Sequence, residues 1–143
     1  MAKNPKEALG VFASTKIQQL LIAILFIAMG MMGFASASGA GSQLSRELSN
    51  MFGGDRELLL YILSALELLC GILLVAQFFM KGIPEKSGKL ALTIILIFWL
   101  ALIVILDILT IDFGGFSGHD WFSWIEQVVL HLIVLTSIVQ LQK

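Results

Sequence analysis

Four apolar runs dominate this sequence and leave it few ways to fold: residues 17–37, 58–80, 90–111 and 121–141. Each is about 21 to 23 residues long, and at about 1.5 Å per residue a helix of that length crosses the roughly 30 Å hydrocarbon layer of a bilayer. Lipid offers no partner to an exposed backbone amide, so a run inside it must close its hydrogen bonds within itself. Barrel strands would alternate apolar and polar residues, and these runs do not. The expected fold is all-α: an integral membrane four-helix bundle forming a single transmembrane domain over 1–143. Charged residues make up 13% of the chain and hydrophobic ones 58%, against about 25% charged in a soluble domain, so there is too little polar surface to face water all round. No basic cluster stands out, which excludes a nucleic-acid partner. Cys70 is the only cysteine, so no intrachain disulfide can form.

The first run has a second reading. Lys3, Lys6 and Lys16 ahead of it and Ala35-Ser36-Ala37 at its end resemble a signal peptide. Its apolar core, Ile17 to Phe34, is longer than the usual stretch of about 7 to 15 residues, so the expectation is a retained helix. Orientation follows from the lysines. Lys3, Lys6, Lys16, Lys81, Lys86, Lys89 and Lys143 all lie in the N-terminal tail, the second loop or the C-terminus. The other loops offer Arg46 and Arg56 against Glu47, Asp55, Glu57, Asp112 and Asp120. The positive-inside rule places both termini and the lysine loop in the cytoplasm, in a membrane of the bacterial inner (cytoplasmic) kind.

The two outer loops differ from the inner one. Ser38 to Gly41 reads as a small, flexible stretch, after which Leu44, Leu48, Met51 and Phe52 recur at helical spacing. This predicts a short amphipathic helix at the outer interface, stopped by Gly53-Gly54, either capping the bundle or closing over an outward cavity. The second loop leads into Trp121 and Trp124, expected as anchors at the headgroup level.

An ionisable group at the bilayer centre costs a few kcal/mol or more unless paired or wetted. Within the spans stand Glu67, Asp107, Glu126 and His131. Counted along their helices, Glu67 lies about 14 Å and His131 about 15 Å from the outer face, whereas Asp107 and Glu126 lie about 6 and 7.5 Å deep. Ser64, Glu67 and Gly71 share one helix face, as do Trp124, Gln127 and His131. Matching depth suggests a Glu67–His131 hydrogen bond inside the bundle, serving either to lock helix packing or as a proton-relay or ligand site. An imidazole, with its ordinary pKa of about 6.5, suits proton exchange. Glu67 is expected to face inward, hydrogen-bonded or protonated, while Asp107 and Glu126 can snorkel to the outer water. Gly30, Gly33, Ala37, Gly41 and Gly71 are small enough for close helix approach. Met29, Met31 and Met32 have no histidine or cysteine companion and read as core filler, so no metal site is expected. No HExxH, GxSxG, phosphate-binding glycine loop or facing haem histidines occur, and catalysis by this chain alone is not expected.

Met29-Gly30-Met31-Met32-Gly33-Phe34 in helix one, and Glu67-Leu68-Leu69-Cys70-Gly71-Ile72-Leu73-Leu74 in helix two, resemble the DoxX-like family of small four-helix membrane proteins over residues 16–111. The family's late helix-one glycine and ExxxG map onto Gly30 or Gly33, Glu67 and Gly71; the basic residue that often follows the glycine is absent. The resemblance implies a membrane subunit linked to quinone-dependent oxidoreductases, with quinone or lipid as the ligand. Three roles therefore stand side by side. The first is an accessory or structural subunit of a larger membrane complex, possessing other membrane subunits or further copies of itself as partners. The second is a small proton-coupled carrier or ligand-binding bundle built on Glu67 and His131, and the third a lipid- or quinone-modifying enzyme.

Overall fold

Polar residues flanking each apolar run start the helices earlier than hydropathy alone suggests. The computed structural model describes residues 5–12, 14–36, 38–80 and 82–143. Its helices are α1 (Pro5–Phe12), α2 (Thr15–Ser36), α3 (Ala40–Phe52), α4 (Arg56–Phe79), α5 (Glu85–Leu102) and α6 (Gly118–Leu141). A π-helical segment, Ile103–Leu109, continues α5 without a break, and a 3-10 turn, Phe113–Gly115, precedes α6. Asp55 Oδ1 accepts from the Glu57 and Leu58 amides at 2.9 and 3.4 Å, satisfying two of the orphan donors that open α4. Asp120 Oδ2 accepts from the Ser117 amide at 2.9 Å and from its hydroxyl at 2.6 Å where α6 begins. Pro84, with φ −59, leads into α5; its fixed φ suits a helix start.

Four of these helices are long and apolar enough to cross a membrane: α2, α4, α5 with its π segment (Glu85–Leu109), and α6. The chain is an integral membrane helical bundle. No strand occurs among the described residues. Hydrophobic side chains such as Leu69, Phe79, Leu90 and Ile97 stand exposed, as helices surrounded by hydrocarbon require.

The spans are not equally embraced. Of the most apolar stretch of each, 44% is buried in α5 and its π segment but 6% in α6, so α6 is the peripheral helix. The core is built by Phe26, Leu74, Ile95, Leu102 and Ile138, with the Phe26 ring edge-on to Phe98 at 5.8 Å and tilted against Trp99 at 5.9 Å. At the end carrying Lys16, Lys86 and Lys89, Gln18 Nε2 donates to Gln140 Oε1 at 3.2 Å, and Gln19 Nε2 donates to Gln77 Oε1 at 3.0 Å.

Close approach of α2 and α4 depends on glycine. A Cβ on Gly30 would stand 2.7 Å from the Ser64 carbonyl oxygen, and one on Gly71 would stand 2.8 Å from that of Ala23. One on Gly33 would meet the Ser64 side chain. Ala37, expected beside them, lies outside the described residues.

The short helix expected after the first span exists as α3, with two corrections. It begins at Ala40, so Gly41 belongs to the helix and not to a flexible stretch, and its buried side is Gly41, Ser42, Leu44 and Ser45. Met51 and Phe52 are exposed, not inward. The helix leans on the bundle through its N-terminal half, where small residues let it approach α4; Gly53, at φ 76, ends it.

Candidate functional site

Asp107 is the centre of the principal polar site. It is 1% exposed, and both carboxylate oxygens are occupied. His131 Nδ1 donates to Oδ2 at 2.6 Å, and Gln127 Nε2 donates to Oδ1 at 2.7 Å. Trp124 Nε1 donates to the Asp107 carbonyl at 2.9 Å, and Trp99 Nε1 donates to the His131 carbonyl at 2.8 Å. The Trp99 and His131 rings meet edge-on at 5.6 Å. Trp124, Gln127 and His131 do stand on one face of α6, and their common partner is Asp107.

The expected Glu67–His131 bond is therefore not formed, and Asp107 does not snorkel to water. Two physical reasons explain both corrections. In an unbroken α-helix at about 100° per residue, Asp107 would stand about 120° away from Ile95, off the buried face. The π segment, closed by Thr110 N donating to Ile105 O at 3.1 Å, fits more residues into each turn and swings Asp107 inward; such segments recur at functional sites. In addition, every Cα–Cβ bond tilts toward its helix N-terminus. Because α5 and α6 run in opposite directions, Asp107 and His131 lean toward each other, and their difference in nominal depth closes.

With Nδ1 engaged, the His131 ring keeps Nε2 as its exchangeable position, and the side chain is 18% exposed. A carboxylate that orients an imidazole in this way sets its tautomer and supports an imidazolium if a proton arrives. The pair can hold or pass a proton. No group of three or more His, Cys, Asp or Glu side chains gathers among the described residues.

Glu67 occupies a second place. It points into the bundle and is 1% exposed, beside Ser64 at 0%. Neither carboxylate oxygen, nor the Ser64 hydroxyl, has a hydrogen-bond partner among the described residues. Glycines crowd them: a Cβ on Gly41 of α3 would come within 2.7 Å of Glu67 Oε1. The remaining side is a narrow crevice between Phe26, Leu66, Cys70, Ile94, Ile95 and Phe98, too tight for water. Cys70 is buried there as a free thiol.

Glu126 is placed with neither group. It is exposed on α6, beside exposed Phe122, Ile125, Val129, Leu130 and Ile133. Trp121 packs in an aromatic cap, stacked on Phe113 at 5.9 Å and edge-on to Phe116 at 5.0 Å. Trp124 is tied to Asp107 and is thus more than an interfacial anchor. Sequence reasoning missed Trp99, whose indole N–H bonds the His131 carbonyl, and gave Gly41 a packing role without its partner, Glu67 of another helix.

No known family model, curated protein or solved structure matches this chain.

Proposed function

We propose that this chain is a small accessory or structural subunit of a larger membrane complex, and that α6 is the helix its partner covers. The observation that carries the reading is the bareness of that helix: within its apolar stretch 6% is buried, against 33% in α2 and α4. Lipid alone could cover the hydrocarbon side chains, but Glu126 lies among them with no hydrogen bond or ion pair to any described residue. A carboxylate on an apolar helix face is costly unless it snorkels to water or a neighbouring helix supplies a donor, and a partner packed on α6 would supply that donor. A redox or quinone link, as the DoxX-like resemblance implies, fits a subunit of this size. So does residence in a bacterial-type inner membrane with both termini cytoplasmic.

Extraction in mild detergent, followed by native gels and intact mass measurement, tests the reading. A stoichiometric membrane subunit should accompany the wild-type chain and be lost, with the chain still folded, when Val129→Arg is introduced on α6. A wild-type chain that migrates alone would overturn it.

Orientation has its own test. Cysteine introduced at Asn50 in α3 should react with an impermeant thiol reagent applied outside the cell, and cysteine at Lys3 should not. The reverse pattern would invert the topology.

A second reading is favoured by the Asp107–His131 pair: a proton-exchanging bundle. Here His131 Nε2 is the exchange position and Asp107 stabilises the charged ring. The expected signature is a proton flux across liposomes that hold the chain, slowed when Asp107 is replaced by Asn. A flux that is absent, or unchanged by the substitution, would remove this reading.

A further inference from the structure

Three acceptor or donor atoms are buried at one point of the fold without partners among the described residues: both oxygens of Glu67 and the hydroxyl of Ser64. Buried polar groups in folded proteins are nearly always satisfied, and each that is not costs about 1–3 kcal/mol. α2 and α3 close two sides of this spot by backbone contact at Gly33 and Gly41. The third side is the crevice behind Leu66, Ile94 and Phe98. Those same three side chains form the inner wall of a wholly apolar groove of about 450 Å³ between α3, α4 and α5, which also takes in Leu44, Ile97 and Ala101. The groove opens on the flank of the bundle, includes no residue of α6, and lies within the range of about 300–1,000 Å³ usual for small-molecule sites.

We propose that groove and crevice together bind a membrane amphiphile made of a hydrocarbon chain ending in a hydroxyl, with the chain in the groove and the hydroxyl on Glu67 and Ser64. The chemistry narrows the ligand to this class. A hydroxyl both donates and accepts, so it pairs with Glu67 whether the carboxyl is ionised or protonated, and with the Ser64 hydroxyl as well. It brings no net charge past apolar walls. A phosphate-bearing headgroup would place negative charge against the Glu67 carboxyl and is far bulkier than a hydroxyl at so narrow a crevice. The gate is side chains only: Leu66 and Phe98 separate the groove from the carboxyl, and a rotamer change of either joins the two spaces and widens the crevice, too tight for water while they stand closed, enough to admit a hydroxyl. The chain would lie against Leu44 and Leu48 of α3, which gives that helix a ligand-covering role in addition to capping.

The test uses the full chain in phosphatidylcholine nanodiscs and a hexadecanol carrying a mid-chain diazirine. Photolabelling should map to Leu66, Ile94, Ile97 or Phe98. Unlabelled hexadecanol should compete about tenfold better than hexadecane, the difference that a buried hydrogen bond supplies. In Glu67→Leu the two competitors should become equal while labelling of the groove persists. Ala101→Trp, which fills the groove from a partly exposed position, should abolish labelling even if Glu67→Leu fails to fold. Equal competition in the wild type, or an alcohol advantage that survives Glu67→Leu or Ala101→Trp, would overturn the proposal.

Discussion

Asp107→Leu should destabilise the bundle by about 2–5 kcal/mol, since each buried donor left without its acceptor costs about 1–3 kcal/mol. The substitution strands the Nδ1–H of His131 and the side-chain amide of Gln127, which now bond to the two carboxylate oxygens at 2.6 and 2.7 Å. His131→Leu should cost a similar amount, because it leaves a carboxyl that is 1% exposed with Gln127 as its sole side-chain donor. Replacing both residues together should cost clearly less than the sum, with a coupling energy of about 0.5–3 kcal/mol, since two apolar side chains leave only Gln127 without its partner. Asp107→Asn should be milder, about 1 kcal/mol: the amide oxygen still accepts from Gln127, and a neutral imidazole can switch tautomer to accept from the new NH2. Unfolding of the four variants in mixed micelles, titrated with a denaturing detergent, measures all of this. Additive effects of a few tenths of a kcal/mol would show that the pair is incidental to the fold.

Gly30→Val and Gly71→Val should each prevent the native contact of α2 with α4. The atoms a side chain would meet are backbone: Ser64 O at 2.7 Å and Leu68 N at 2.9 Å for Gly30, Ala23 O at 2.8 Å and Ile27 N at 2.9 Å for Gly71. Backbone in a helix cannot swing aside, so the helices must separate along their length. Overpacking of a tight core costs about 1–3 kcal/mol where side chains yield, and here they do not, so the upper end or more is expected. Separation would also pull Ser64 away from Gly33 and open the Glu67 spot to lipid. Gly118→Ala, where a Cβ meets nothing within 4 Å, is the control and should leave the folded yield unchanged. If Gly30→Val were as stable as that control, the close α2–α4 approach would not be a requirement of the fold.

The class of the fold was legible from the chain alone because lipid acts on each segment separately. A run of apolar residues that is long enough must become a spanning helix wherever its neighbours lie, so the four spans could be read from length and hydropathy. Helix starts could be refined from Asp55 and Ser117, whose bonds are local in sequence. The partner of His131 could not be read in this way. Counting residues gives depth along a helix, and depth matched His131 to Glu67; contact also needs azimuth and lean, which neighbouring helices decide. A π segment in Ile103–Leu109 turned Asp107 inward, and the antiparallel packing of α5 and α6 tilted it toward His131. Glu67 faces inward, as its polar face implied, but it was tertiary packing that set Gly41 of α3 against its carboxyl and left Leu66, Ile94 and Phe98 between it and the apolar groove.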